Sequence, residues 1–99
     1  MSRSHTTTPY PIAGGCQSIS ATASSARTSA GVDSQTRFVT IATDEAVHYR
    51  LGDSSVAATT SDTFLPANGE HFIRILPGQY VAAIRSSADA TVKVSEFAG

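Results

Sequence analysis

From His71 to Phe97 the chain reads HFIRILPGQYVAAIRSSADATVKVSEF, a stretch that alternates with a period of two residues rather than 3.6. Ile73 and Ile75 alternate with Phe72, Arg74 and Leu76. Tyr80, Ala82 and Ile84 alternate with Val81, Ala83 and Arg85, and Val92 and Val94 alternate with Thr91, Lys93 and Ser95. Pro77-Gly78 separates the first two runs, because Pro presets φ and Gly accepts φ > 0, and the polar break Ser86-Ser87-Ala88-Asp89 separates the second from the third. Three strands joined by two sharp turns predict a three-stranded antiparallel meander.

The same pattern recurs upstream. Arg37 to Thr43 is apolar on both sides, with Phe38 on one and Val39 and Ile41 on the other, which suits a strand covered on both faces. Val47, Tyr49 and Leu51 alternate with His48 and Arg50 and end at Gly52-Asp53; with Asp44-Glu45 as the turn, these two strands are expected to pair as a hairpin. Cys16 to Ala23 alternates weakly around Ile19, and Ser24 to Thr36 reads as a polar connection in which Val32 touches the core. Ser54 to Asp62 is a second polar connection in which Val56 and the alanines can form a short edge strand, Phe64-Leu65-Pro66 returns the chain to the core at an edge or between strands, and Asn68-Gly69 is a turn dipeptide.

Six to eight short strands with no amphipathic helix predict an all-β fold, a small antiparallel β-sandwich or jelly-roll-like barrel with an extended N-terminal arm. The expected core is Phe38, Val47, Tyr49, Leu51, Ile73, Ile75, Tyr80, Ile84, Val92 and Val94. Of the 40 hydrophobic residues, 15 are alanine, which leaves 25 able to fill space. With 99 residues and 26 serines and threonines, one domain with a thin core is expected, gaining further stability from whatever binds its folded state. Residues 1–15 carry Thr6-Thr7-Thr8, two prolines and Gly14-Gly15, a composition that buries too little to order itself, so they are read as an arm on a domain spanning residues 16–99. Pro11 holds Tyr10 extended, and Tyr10 and Ile12 are candidate docking side chains.

Charge and chemistry narrow the function. The net charge of −1 is spread along the chain, so neither nucleic acid nor an anionic membrane is an expected partner. No apolar run approaches the ~20 residues that cross a bilayer. The single cysteine, Cys16, has no internal partner and the first residues lack the apolar core of a secretory signal, so synthesis in a reducing cytoplasm is expected. His48, His71 and Asp44-Glu45 have no metal-type spacing, Cys16 has no surrounding nucleophile signature, and no serine sits in a G-x-S-x-G elbow. Gly14-Gly15 is followed by no phosphate-loop lysine and reads as a hinge. No catalytic residue, metal or cofactor is therefore assigned. Arg37, Arg50, Arg74 and Arg85 each alternate with apolar residues on strands and are candidate protein-contact residues, since Arg is enriched at interfaces.

Laid out in this way, residues 37–96 resemble a group of small tailed-phage virion proteins of about this length. The residues that carry the resemblance are His48-Tyr49-Arg50-Leu51-Gly52, Asp62-Thr63-Phe64-Leu65-Pro66-Ala67, Leu76-Pro77-Gly78, Ile84-Arg85 and Thr91-Val92-Lys93-Val94-Ser95-Glu96. They are turn and strand residues, and no catalytic position comes with them; where relatives carry Gly before the last strand, this chain has Ala90. The resemblance implies a capsid cement or decoration protein, made in the host cytoplasm and seated on the exterior of the virion as a homo-oligomer bound to the major capsid protein. A head-tail connector or tail component is its alternative. A host- or carbohydrate-binding module is a more distant one, since the chain has no Trp and three Tyr for stacking on sugars.

Overall fold

A computed structural model describes residues 10–99. Eight strands follow one another: β1 (Tyr10–Ala21), β2 (Ala26–Arg27), β3 (Thr36–Thr43), β4 (Val47–Gly52), β5 (Thr63–Leu65), β6 (Glu70–Arg74), β7 (Tyr80–Arg85) and β8 (Ala90–Ala98). They form two four-stranded antiparallel sheets, a front sheet in the order β1-β8-β3-β6 and a back sheet in the order β2-β7-β4-β5. Consecutive strands almost always change sheet, and the two interleaved orders are those of an eight-stranded jelly roll. The fold class expected from the sequence is the one observed.

Two local pairings differ from expectation. β3 lies in the front sheet and β4 in the back, so they are not a hairpin; β6, β7 and β8 lie front, back and front, so they are not a meander. The turn after β6 explains the second difference. Gln79 N donates to Leu76 O at 3.2 Å, with Pro77 and a Gly78 at φ +83° between them. That is a type II turn, whose backbone twist splays the flanking strands where a hairpin needs a primed turn. Instead of folding β7 back onto β6, it throws the chain across to the other sheet.

Inward residues of both sheets meet between them: Ile19, Val39, Ile41, Val92 and Val94 from the front, Val47, Tyr49, Leu65, Val81 and Ala83 from the back, with Ile75 just beyond β6. Val47, Tyr49, Ile75, Val92 and Val94 are buried as expected, and Leu51 and Ile73 are partly buried against them. Phe38, Tyr80 and Ile84 fall outside this core. On β3 the inner side is taken by Val39 and Ile41, which turns Phe38 outward. On β7 it is Val81 and Ala83 that face in. Ala83 lies between Ala26 and Tyr49, and all three pack into the core.

The part of the expected arm that is described, residues 10–15, is strand. Tyr10 pairs with Ala98 and Pro11 with Phe97, so residues 10–15 belong to β1; residues 1–9 lie outside those described. Between Pro11 and Cys16 the register jumps, because Ile12 to Gly15 face the single β8 residue Glu96. Gly14-Gly15 is thus a bulge rather than a hinge. Gly14 has φ +74°, and a Cβ on Gly15 would press within 3.0 Å of the Glu96 Cβ and of the Ile12 carbonyl. Beneath the bulge Glu96 is buried, and its Oε1 accepts from Asp33 N at 2.8 Å and from the Thr36 hydroxyl at 2.7 Å. That carboxylate pins the β2–β3 connection to the end of the front sheet.

Candidate protein-contact surface

The outer face of the front sheet carries an apolar row that crosses all four strands. Cross-strand partners share a face, so Pro11 of β1, Phe97 of β8 and Phe38 of β3 stand in line. Phe72 of β6 joins them diagonally. Its ring stacks on Phe38 with centroids 5.2 Å apart and meets Phe97 edge-on at 5.7 Å. Aromatic pairs in these geometries hold one another in place, yet Phe72 remains 51% exposed. The upper part of the same face is small and polar, with Ser18, Ser20, Thr91 and Lys93; the Lys93 Nζ donates to the Ser18 hydroxyl at 2.8 Å. A rigid apolar patch bordered by hydrogen-bonding groups is the composition of a protein-contact surface.

At one end of the row the sheet stops at β6. Ile75 N donates to Arg37 O at 3.0 Å and Gly69 O accepts from Thr43 N at 3.2 Å, so the odd-numbered residues 69–75 direct their backbone groups at β3. By the alternation of an antiparallel ladder, the N–H and C=O groups of Glu70, Phe72 and Arg74 point away from the sheet. All three residues are exposed. Among the described residues, neither Glu70 nor Arg74 has an ion-pair partner; the pairs formed are Arg50–Asp62 and Arg85–Asp89.

The candidate contact residues scatter over this frame. Tyr10 is exposed beside the end of the row, and Ile12 is half-buried in the β1 bulge. Arg74 stands opposite Phe38 on the front face. Arg37 is the bulge residue between Thr36 and Phe38, and its guanidinium folds back to donate to the Ser34 and Thr36 carbonyls. Arg50 is on the outer face of the back sheet, 3.5 Å from Asp62, and Arg85 sits at the end of β7, held 2.6 Å from Asp89. The four arginines therefore do not share one face. The signal for the aromatic row in the sequence is β3, apolar on both sides; a strand covered on both faces has the same pattern, and here the Phe38 face is the open one.

His48, Tyr49 and Glu96 are held by hydrogen bonds within the fold. His48 lies on the outer face of the back sheet between Ile84 and Phe64; its Nδ1 is 3.0 Å from the Asp62 carbonyl, which can only accept, so that nitrogen carries the proton. The Tyr49 hydroxyl and His71 Nδ1 are 2.7 Å apart and link the two sheets. Burial pushes the Tyr49 hydroxyl above its ordinary pKa, so it keeps its proton further into the alkaline range than a free tyrosine does. Cys16 is exposed, with the Ser95 hydroxyl 3.8 Å from its sulfur. Among the described residues no three His, Cys, Asp or Glu side chains gather as metal ligands would. The depression under the β1 bulge, lined by Gly14, Gly15, Gln17, Ser29, Asp33 and Glu96, is open, and the Glu96 Oε1 is already occupied by its two donors. No family model matches the chain, and neither a curated protein nor a solved structure matches it.

Proposed function

We propose that this chain is a non-enzymatic virion structural protein, a decoration protein that binds the lattice of a major capsid protein on the capsid exterior. The observation that carries an assembly role is the aromatic row on the front sheet: Phe38, Phe72 and Phe97 brace one another in a fixed arrangement while a large part of that surface stays in water. A small domain whose core is mostly valine, isoleucine and alanine gains stability when such a patch is covered, since whatever binds only the folded state shifts folding toward it. The class of assembly comes from the resemblance of residues 37–96 to small phage virion proteins. The jelly-roll strand order suits it, as that architecture is frequent in capsid domains, though the fold alone never specifies a function.

The test is the stoichiometry of the chain in purified particles of the phage that encodes it, measured by quantitative mass spectrometry. A decoration role predicts tens to hundreds of copies per particle. A number matching a single ring would transfer the chain to a head-tail connector or the tail, and absence from particles would end the virion reading.

A further inference from the structure

We infer that β6 is a self-complementary edge through which two copies of this chain pair antiparallel, joining their front sheets into one continuous eight-stranded sheet across a two-fold axis at Phe72. The occupant of this edge is a second copy, and the sequence of the strand says so. β6 is Glu70-His71-Phe72-Ile73-Arg74, and Glu70, Phe72 and Arg74 are the residues that present both outward side chains and backbone groups unpaired among the described residues. With the axis at Phe72, Phe72 meets the second copy's Phe72, Glu70 meets its Arg74, and Arg74 meets its Glu70. Each of these is a hydrogen-bonded pair of the new ladder, because the residues involved are those whose N–H and C=O groups face away from β3.

Alternative registers are disfavoured by the same residues. Displacing the axis to Glu70 sets the two Glu70 carboxylates against each other, and displacing it to Arg74 does the same with two guanidinium groups. The two intermediate registers oppose Phe72 to Glu70 or to Arg74 and leave the charges unmatched. Like charges directly opposite destabilise a pair and opposite charges stabilise it, so the alternation acid, aromatic, base selects one register from five. Charged residues on an edge ordinarily guard it against indiscriminate pairing; here their order leaves one partner admissible. Asn68, at φ +58°, and the Pro77-Gly78 turn limit the strand on both sides, so the ladder is confined to this short segment.

The pairing also uses the apolar row. Phe72 is the most exposed of the three stacked rings, and a second Phe72 beside it continues Phe97-Phe38-Phe72 across the axis into the partner copy. On the inner side His71 comes opposite the second copy's Ile73. An edge of five residues buries less than a standard stable interface, so the dimer belongs to the weak class, with dissociation in the high micromolar range, about 0.1–1 mM. This inference stands on β6 alone and holds whether or not the chain is a virion protein.

The test is sedimentation velocity at low ionic strength on four samples: the full-length protein, Glu70→Arg, Arg74→Glu, and an equimolar mixture of these two variants. The expected result is concentration-dependent dimerisation of the unmodified protein, weakened by salt, and at least tenfold weaker self-association of each single variant, which sets four like charges around the axis. In the mixture, a chain with Arg at 70 and 74 faces one with Glu at both, so dimerisation returns as a heterodimer. Both positions are exposed, and the recovery in the mixture itself reports that the two variants are folded. A protein monomeric to about 1 mM, a dimer indifferent to both charge reversals, or a mixture that stays monomeric would each overturn the proposal.

Discussion

Tyr49 combines the two roles that a buried tyrosine can have. Its ring fills the space between the sheets and its hydroxyl reaches His71 of the opposite sheet at 2.7 Å. Tyr49→Phe keeps the ring and removes the bond, so it is expected to lower stability by about 0.5–1.5 kcal/mol at neutral pH in chemical denaturation. The pH dependence follows from the direction of the shift. A hydroxyl whose pKa is higher folded than unfolded holds its proton better in the native state, so its contribution is complete below about pH 10 and is lost as pH rises through the folded value. The alkaline fall in stability should therefore be shallower in Tyr49→Phe than in the parent. Ile75, 2% exposed, has no polar role, and Ile75→Ala should cost about 2–5 kcal/mol in the same measurement. Burial at this scale was legible in the sequence for Val92 and Val94, which alternate with Thr91, Lys93 and Ser95. It was not legible for Phe38 or Ile84, because a strand with large apolar groups on both faces carries no mark of which face turns inward.

Strands were legible as elements, and their pairing was not. Any two alternating runs joined by a short polar turn read as a hairpin, and the sequence of a corner between sheets is made of the same residues. What distinguishes them is backbone twist, and here the Pro77-Gly78 type II turn carries it. That turn is also packed against the β2–β3 connection: Gly78 N donates to Val32 O at 3.0 Å and Val32 N to Gln79 O at 2.9 Å. Gly31 and Gly78 consequently differ in what they tolerate. A Cβ on Gly78 meets open space, so Gly78→Ala should cost only the strain of a left-handed backbone, about 1–2 kcal/mol. A Cβ on Gly31 would collide with the Gly78 carbonyl, and neither backbone can yield without breaking the two bonds between them. Gly31→Ala is accordingly expected to be the more damaging of the two in thermal unfolding; equal or reversed costs would mean that the connection does not seat on the corner as described. The β1 bulge was equally hidden, since Gly14-Gly15 reads as a hinge until Glu96 is seen beneath it.

At the scale of the molecule, the two sheets differ in what they show to solvent. On the front sheet an apolar row runs from Pro11 to Phe72 and ends at an open edge. The back sheet presents the ion pair of Arg50 and Asp62 and a smaller group in which His48 is wedged between Ile84 and Phe64. An all-β fold, its turns and its polar character could be read from composition and period alone, whereas a contact surface could not. That surface is assembled from β1, β8, β3 and β6, which are distant in sequence and become neighbours only through the jelly-roll order.

If the outer face of the front sheet is the surface this protein uses in assembly, hydroxyl-radical footprinting of the free and the assembled protein, read at single aromatic residues, will locate it there. Phe72, 51% exposed in the free chain, is then expected to lose most of its labelling on assembly together with Phe97, while Phe64 of the back sheet, 50% exposed, keeps its own. Labelling of Phe72 that is unchanged on assembly, with protection falling on Phe64 instead, would contradict it.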